Sequence, residues 1–203
     1  MQIEPVEEDP IRKYTPTEEE LLTQNLFNIT KRVRIVDCKN NSYSIKLICD
    51  WHEHFFYGVR EHAGRYRTAD YGEERLIFGD QRSADRSEVE ARLRIHEKKT
   101  RGLIDQLKAI ETKIDPPQFL NEVIKGALWA HADLIRIHPF RDGNGRIGRL
   151  ICTYIMCLFG FPPFAFEVVK QEYLDCLNLY YKNDDIEPLI SLVLRIYKNN
   201  FQS

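Results

Sequence analysis

The chain has 203 residues, of which 43% are hydrophobic and 30% charged, so it can bury a core and is not disordered by composition. Lys and Arg together number 29 and Asp and Glu 31, which gives a formal net charge of -2. This balance argues against a nucleic-acid partner or an anionic membrane surface, since both favour a strong basic surplus. The length predicts one domain with at most a small appendage.

The cysteines and the N-terminus bear on the compartment. The five cysteines are an odd number and none forms a Cys-x-x-Cys pair, which argues against a disulfide framework or a zinc ribbon. The acidic N-terminus, MQIEPVEEDP, has no apolar run, and the most apolar stretch, Leu150 to Phe166, is short and interrupted by two prolines. We therefore expect a cytoplasmic chain without a signal peptide or a membrane span.

The N-terminal half is expected to contain a loose arm, two helices and a hairpin. Residues 1–16 are polar and carry three prolines. Thr17 followed by Glu20 matches a capping box and predicts a helix to about Thr30, and a second helix is predicted over 45–62. Between Tyr66 and Gln81 we expect two short extended pieces around a charged turn at Asp70–Glu74, with Leu76–Phe78 as the return strand.

The C-terminal half has helical periodicity throughout. A charged helix is predicted from Ser87 to Ile110, and Pro116-Pro117 should break the chain after it. Regularly spaced apolar residues predict an amphipathic helix from Phe119 to Ile137, which Pro139 ends. The next helix should run from Gly145 to about Phe159, and two more are expected near 168–182 and 186–200. The fold class predicted is mostly α with one small hairpin.

The run from His138 to Arg149, HPFRDGNGRIGR, carries the chemistry. It connects two predicted helices, so it is a loop that leads into a helix N-terminus. Gly143 and Gly145 allow backbone N–H groups to turn inward without hindrance from side chains. Such a turn favours anions, because the unpaired N–H groups and the helix dipole both attract negative charge.

The side chains around this cradle fit phosphate chemistry. Arg146 and Arg149 are three residues apart on the new helix, so they share a face and can converge on phosphate oxygens. Asp142 can hold a hard cation that bridges those phosphates, and His138 can take a proton from a hydroxyl at neutral pH. Together these residues indicate phosphoryl or nucleotidyl transfer from a metal-bound nucleotide.

The order of these residues resembles the signature of the Fic (filamentation induced by cAMP) family, His-x-Phe-x-(Asp/Glu)-Gly-Asn-Gly-Arg-x-x-Arg, at every fixed position. Ala63 to Thr68, AGRYRT, resembles the stretch that enters the family's flap hairpin, and Phe78-Gly79-Asp80-Gln81 lies where the flap returns over the nucleotide. The resemblance covers roughly residues 45–200. It implies a Fic-fold helical bundle with a β-hairpin flap, divided into an N-terminal arm and helix at 1–44 and a Fic domain at 45–203.

The resemblance also implies a role for each motif residue. His138 would be the general base and Phe140 a core anchor, and Asp142 would ligate Mg²⁺ on the α- and β-phosphates of ATP. The flap would hold a target protein by strand addition. The residues expected to bind the nucleotide are Gly143, Asn144, Gly145, Arg146, Arg149, Phe78, Gly79, Asp80 and Gln81. The activity implied is transfer of AMP to a Tyr, Thr or Ser hydroxyl.

Other functions stay open at this point. A Doc-like protein kinase would bind the nucleotide reversed, but Doc motifs typically have Lys where this chain has Gly145. A catalytically silent Fic-fold binding module would not need His138 and Asp142. Removal of AMP usually depends on an inhibitory Glu in the pattern (Ser/Thr)-x-x-x-Glu-(Gly/Asn). The nearest approach is Thr15-x-x-x-Glu19, which Glu20 follows. The chain is therefore expected to be a toxin held by a separate small antitoxin or, less simply, to carry a divergent inhibitory helix at 17–30.

Several other residues have a simpler explanation than chemistry. Trp51 and Trp129 are expected in the core. Tyr173 and Tyr181 could line an adenine pocket or pack in the core, and both alternatives stay open. The histidines outside the motif have no metal-like spacing and are expected at the surface or in packing; they are His52, His54, His62, His96 and His131.

Overall fold

The computed structural model describes residues 13–72, 74–78, 81–163 and 170–201. Within these ranges the chain is mostly helical, as predicted. The elements in chain order are α1 (Pro16–Arg32), a π-helical turn (Val33–Asp37), α2 (Cys38–Asn40), α3 (Ile45–Phe56), β1 (Ile77–Phe78), β2 (Gln81–Arg82), α4 (Arg86–Ile110), α5 (Pro116–Ile137), α6 (Asn144–Leu158), α7 (Lys170–Asn183) and α8 (Glu187–Phe201). None of the helices in these ranges is long and apolar enough to cross a membrane.

Helix α5 is the centre of the bundle and packs against α4, α6, α7 and α8. Most of its residues from Val123 to Ile137 are apolar and buried, which is the pattern of a helix covered on most sides. The helix begins three residues before the predicted start at Phe119, because Pro116 and Pro117 occupy its first turn, where a missing N–H costs nothing. The Asp115 carboxylate caps this turn by accepting the Gln118 N–H at 2.9 Å.

Helix α1 has a capping box, but the predicted position of the box was wrong. The N-cap is Thr15 and not Thr17: its hydroxyl accepts the Glu18 N–H at 3.2 Å, while the Glu18 carboxylate accepts the Thr15 N–H at 2.8 Å. Thr15 and Glu18 have the same three-residue spacing as Thr17 and Glu20, and Pro16 between them favours a first helical position. Helix α1 then packs on α3 through Leu22, Phe55 and Phe56.

The extended segment after α3 differs from the prediction in two ways. Helix α3 ends at Phe56 and not near residue 62, since Gly58 takes a left-handed conformation with a φ of 74°. Ile77–Phe78 is the first strand of an antiparallel pair with Gln81–Arg82, so Leu76–Phe78 is not a return strand. The expected turn at Asp70–Glu74 is replaced by a tight turn in which Thr68 and Tyr71 exchange backbone hydrogen bonds.

The π-helical turn, which was not predicted, buries an aspartate. Asp37 is fully buried, and its carboxylate accepts hydrogen bonds from the Trp51 indole at 2.8 Å and the Asn41 amide at 2.8 Å. Arg32 also donates to this carboxylate, at 3.4 Å. Trp51 is completely buried, so its predicted place in the core is confirmed.

Candidate active site

His138 stands where α5 ends and the motif loop begins. It caps the helix in the left-handed conformation, with φ 52° and ψ 57°, and its N–H donates to the Leu134 carbonyl at 2.9 Å. A side chain other than glycine adopts this conformation at a cost of about 1–3 kcal/mol, which the surrounding structure must offset. Pro139 prevents the helix from continuing, so His138 is the first residue of the loop.

The imidazole of His138 is neutral, which is the protonation state that a general base requires. Burial lowers its pKa to about 4, helped by the nearby Arg67 guanidinium, so the ring is neutral near pH 7. Its Nδ1 lies 3.3 Å from the Ile135 carbonyl oxygen. Because a carbonyl only accepts, this contact places the ring proton on Nδ1 and makes Nε2 the basic nitrogen of the ring.

Arg67 holds the backbone of His138 in place. Its side chain is fully buried, and its Nη2 donates to the carbonyl oxygens of His138 at 2.8 Å and Ala84 at 3.0 Å. The same guanidinium reaches the Glu74 carbonyl at 3.2 Å, and the Arg67 N–H donates to the Pro139 carbonyl at 2.8 Å. From the sequence, Arg67 was expected only as part of the AGRYRT stretch, and this positioning role was not predicted. The only sequence signal for this role was the presence of an arginine in the short flap-entry stretch.

The motif loop is closed by the side chain of Asn144. Its Oδ1 accepts the Phe140 N–H at 2.9 Å and its Nδ2 donates to the Phe140 carbonyl at 2.7 Å. Asn144 is buried, so its side chain shapes the loop and only its backbone can contribute to an anion cradle. Phe140 is completely buried and stacks on His52 with ring centres 4.0 Å apart, as expected of a core anchor.

Gly143 allows the loop to pass close to α3. It is the N-cap of α6 with a φ of 78°, and no side-chain hydrogen bond caps that helix start. A Cβ at this position would lie 2.6 Å from Cε2 of Phe56, which is a clash, so both the conformation and the space require glycine. The first turn of α6 therefore presents backbone N–H groups without a side-chain cap, as an anion cradle needs.

The charged groups of the motif surround this helix start. The Asp142 carboxylate accepts the Gly143 N–H at 2.5 Å and the Arg146 Nη2 at 3.3 Å on one oxygen, and the Tyr14 hydroxyl on the other. The guanidinium of Arg146 lies over the Phe55 ring at 4.6 Å. A Cβ at Gly145 would lie 3.7 Å from Nη1 of Arg149, so this guanidinium also stands over the first turn of α6.

The expected flap residues are described only in part. Phe78 and Gln81 pair through their backbones, whereas Gly79 and Asp80 lie outside the described residues. The strand pair leads back to the motif, because the Ala84 N–H donates to the Ile137 carbonyl at 3.3 Å, one residue before His138. The structure thus joins the base of this segment to the end of α5.

His52 connects the flap-entry stretch to the motif loop. Its Nδ1 accepts the Gly64 N–H at 2.9 Å, which leaves Nε2 to donate to the Asp142 carbonyl at 3.1 Å. His52 is fully buried, so the packing alternative for this residue is confirmed, but its bridging bonds were not foreseen. His131 is also fully buried, with Nε2 2.6 Å from the Tyr173 hydroxyl.

These two buried histidines predict a stability that depends on pH. Burial lowers the pKa of both His52 and His131 to about 4. The unfolded chain, with a histidine pKa near 6.5, therefore binds more protons below that pH. The free energy of unfolding is therefore unaffected by these groups above pH 6.5. It falls as the pH drops from 6.5 to 4, by up to about 1.4 kcal/mol per pH unit for each group.

Urea unfolding at pH values from 7.5 to 5 measures this slope. The variant His131→Gln keeps a polar partner for Tyr173 and removes one titrating group, so its free energy of unfolding should fall less steeply with acidity. An equal slope in the variant and the wild type would contradict the assignment. His54→Gln is the control, because His54 is exposed.

Comparison with known proteins identifies the family. The model of the Fic/DOC family matches residues 42–156, more than half of the chain, so this chain belongs to that family. It is 39% identical over 80 residues to protein adenylyltransferase Fic of Nematostella vectensis, an alignment covering 39% of the chain and 18% of that protein. A Fido domain-containing protein of Dictyostelium discoideum is 37% identical over 82 residues, which cover 36% of the chain and 57% of that protein. The chain spans less than two thirds of these relatives.

Solved structures share the fold over nearly the whole chain. A fragment of Fic-1 from Caenorhabditis elegans superimposes with a TM-score of 0.68 and 22% identity, covering 95% of this chain and 52% of that one. BepC of Bartonella tribocorum, solved with bound AMPPNP, gives a TM-score of 0.67 and 17% identity, covering 89% of this chain and 86% of that one. The predicted Fic fold is therefore confirmed as a helical bundle.

Proposed function

We propose that this chain is a protein adenylyltransferase, which transfers AMP from ATP to a Tyr, Thr or Ser hydroxyl of a target protein. The observation that carries the proposal is the neutral His138, held by Arg67 next to the uncapped start of α6. A proton acceptor and an anion cradle in one loop are the two parts that this reaction needs. Relatives named protein adenylyltransferases and a similar fold with bound AMPPNP support the same activity.

The residues around Asp142 fit a magnesium ion that arrives with the nucleotide. The described residues contain no cluster of three or more His, Cys, Asp or Glu side chains able to hold a metal ion. One carboxylate, from Asp142, is nevertheless the hard oxygen ligand that Mg²⁺ takes when phosphates and water complete its shell. When bound there, Mg²⁺ would neutralise charge on the α- and β-phosphates.

The chain's own residues then account for the transfer. Nε2 of His138 accepts the proton of the target hydroxyl, whose oxygen forms a bond to the α-phosphorus. The bond from this phosphorus to the bridging oxygen of the β-phosphate breaks, and pyrophosphate leaves. Arg146, Arg149 and the backbone N–H groups of Asn144 and Gly145 stabilise the negative charge that develops on the phosphates. Phe78 to Gln81 would hold the target as an added strand.

The position of the labelled phosphate distinguishes this reaction from its rivals. The chain is incubated with Mg²⁺, a lysate and ATP labelled on either the α- or the γ-phosphate. We expect label in protein from the α-phosphate only. Label from the γ-phosphate alone would show a Doc-like kinase, and no label under any condition would favour a silent binding module.

Inhibition by a separate small antitoxin belongs to the same proposal. Glu19 and Glu20 are exposed on α1, so the nearest approach to an inhibitory motif faces solvent. The purified chain alone should therefore modify itself strongly, and little modification without a partner would favour a built-in inhibitor. All five cysteines are free, in keeping with the reducing, cytoplasmic compartment that we propose.

Tyr14 competes with the metal for Asp142. Its hydroxyl donates to the carboxylate oxygen that Arg146 and Gly143 leave available, and burial against Asp142 raises its pKa, so the phenol stays protonated. A metal that takes this oxygen must displace the hydrogen bond, which is worth about 1.5–3 kcal/mol when the acceptor is charged. Tyr14→Phe should therefore tighten Mg²⁺ binding by about 10- to 160-fold.

Calorimetric titration of Mg²⁺ in the presence of a non-hydrolysable ATP analogue measures this difference. Tyr57→Phe is the matched control, because Tyr57 is 73% exposed and should leave the affinity unchanged. If Tyr14→Phe binds Mg²⁺ no more tightly than the control does, the competition does not exist.

A further inference from the structure

One buried histidine of α3, His52, contacts the motif loop at several points. Its side chain is fully buried, and its ring stacks on Phe140 with 4.0 Å between the ring centres and 12° between the planes. A Cβ at Gly143 would lie 3.7 Å from Cδ2 of His52, so the ring also borders the N-cap of α6. The proposed transfer uses neither nitrogen of this ring, because both bond to backbone groups.

These two hydrogen bonds fix the tautomer and the orientation of the His52 ring. Nδ1 accepts the Gly64 N–H at 2.9 Å, so the ring proton is on Nε2, which donates to the Asp142 carbonyl at 3.1 Å. A flipped ring would place carbon atoms opposite both backbone groups and would break both hydrogen bonds. The stack on Phe140 holds the plane of the ring. His52 therefore presents one fixed N–H donor to the motif loop.

The carbonyl that accepts this hydrogen bond belongs to the peptide unit between Asp142 and Gly143. This peptide is trans, so its C=O and its N–H point in opposite directions. The C=O faces Nε2 of His52, and the N–H donates to the Asp142 carboxylate at 2.5 Å. The hydrogen bond from His52 thus sets the rotation of the peptide plane, and the peptide plane holds one oxygen of the carboxylate.

The backbone of the loop does not fix this plane by itself. Glycine adopts many φ values at little cost, and the φ of 78° at Gly143 is one that few other residues tolerate. The Phe56 ring excludes a Cβ at this position, so no larger side chain can restrict the backbone there instead. The restriction therefore comes from outside the loop, through His52.

We propose that His52 is a positioning residue for Asp142, the residue proposed to hold Mg²⁺. Its Nε2–H holds the Asp142 carbonyl, and through the peptide plane it keeps the carboxylate in one orientation. The inference rests on the proposed function, since it concerns the metal that arrives with ATP. Groups that orient a metal ligand by hydrogen bonding typically change the metal affinity by about 10- to 100-fold when they are lost.

Three substitutions separate the hydrogen bonds of His52 from its packing. His52→Gln places an amide N–H near the position of Nε2, so it keeps a donor for the Asp142 carbonyl. His52→Asn reaches only as far as Nδ1, so it keeps an acceptor for the Gly64 N–H and loses the donor. His52→Phe keeps an aromatic ring against Phe140 and loses both hydrogen bonds. The affinity for Mg²⁺ is measured by calorimetric titration in the presence of a non-hydrolysable ATP analogue.

His52→Asn and His52→Phe should weaken Mg²⁺ binding about tenfold or more, whereas His52→Gln should stay within about threefold of the wild type. In transfer assays with His52→Asn, the Mg²⁺ concentration that gives half the maximal rate should rise by the same factor. The rate at saturating Mg²⁺ should stay within about threefold of the wild type, because the metal ligand itself is still present. A residue that only stabilises the fold would not change the Mg²⁺ affinity of the folded protein.

His96→Asn is the matched control for the loss of a buried histidine. His96 is also fully buried and bonds through both ring nitrogens, but to Tyr43 and Asp133 and not to the motif loop. This variant should lose stability and keep the wild-type affinity for Mg²⁺. Urea unfolding gives the folded fraction of every variant. If His52→Asn does not fold, His52→Phe is compared with His52→Gln in its place.

Nuclear magnetic resonance of the wild type provides a test without any substitution. In protein labelled with ¹⁵N, the proton of the His52 ring should be found on Nε2. A proton on Nδ1 would overturn the proposal whichever variants fold, because Nε2 could not then donate to the Asp142 carbonyl.

The Mg²⁺ titrations overturn the proposal in either of two ways. The first is that folded His52→Asn and His52→Phe bind Mg²⁺ no more weakly than His52→Gln, and the second is that His96→Asn loses as much affinity as they do. AMP transfer is scored separately. Mg²⁺ binding that depends on His52, in a chain that transfers no AMP, would support the role of His52 and reject the proposed function. AMP transfer with a Mg²⁺ affinity that does not depend on His52 would do the reverse.

Discussion

Replacing His138 is expected to reduce AMP transfer by a factor of about 10² to 10⁴, the usual contribution of a general base. The neutral imidazole has Nδ1 engaged with the Ile135 carbonyl, which makes Nε2 the nitrogen that would accept the proton of the target hydroxyl. An uncharged, non-basic side chain at position 138 cannot accept that proton. The affinity for ATP should be nearly unchanged, because the cradle and its arginines lie on α6.

The choice of substitution separates chemistry from backbone strain. His138 has a positive φ, and alanine tolerates this conformation poorly, so His138→Ala loses stability as well as the base. Asparagine is among the residues that tolerate it best, so His138→Asn isolates the loss of the proton acceptor. Single-turnover transfer and ATP affinity are measured for both variants, with His54→Ala as an exposed control. Wild-type transfer by His138→Asn would contradict the role of His138 as base.

Replacing Arg67 with methionine is expected to lower the free energy of unfolding by about 2–4 kcal/mol, because three carbonyl oxygens lose their charged and fully buried donor. These are the carbonyl oxygens of His138, Ala84 and Glu74. The left-handed conformation of His138 loses its support at the same time. The rate of transfer should therefore fall further than the loss of folded protein explains.

Urea unfolding measures the stability, and single-turnover transfer under conditions where both proteins are folded measures the positioning effect. Arg94→Met is the matched control, since Arg94 has an exposed side chain on α4 and its loss should change stability by no more than about 0.5 kcal/mol. Arg67→Lys retains the charge without the planar fork and should fall between Arg67→Met and the wild type. If Arg67→Met is as stable and as active as the control, Arg67 does not position His138.

Most helices could be predicted because their signals are local. Apolar spacing and the breaks at Pro139 and Gly160 place α5 and α6 within a few residues of their true ends. The cap of α1 was assigned two residues late because Thr15 and Thr17 both have a Glu three residues on, and spacing alone does not choose between them. The strands were misplaced because each is only two residues long, too short for a period-two pattern.

The site was predictable only where one segment contains it. The motif from His138 to Arg149 can be read from one stretch of sequence, and its residues meet in the loop and the first two turns of α6. The groups that position this loop come from elsewhere: Tyr14 is 128 residues from Asp142, and Arg67 is 71 residues from His138. No local pattern marks such contacts, because they depend on how α1 and the segment after α3 pack against the end of α5.

Mass spectrometry of the modified target peptide tests the central claim most directly. The chain, Mg²⁺ and ATP are incubated with a lysate, and the group attached to the modified hydroxyl is identified by its mass and its fragments. We predict an adenosine monophosphate ester on a Tyr, Thr or Ser side chain, present with the wild type and lost with His138→Asn. A bare phosphate on that hydroxyl, or an adenosine monophosphate ester formed equally well by His138→Asn, would contradict the account.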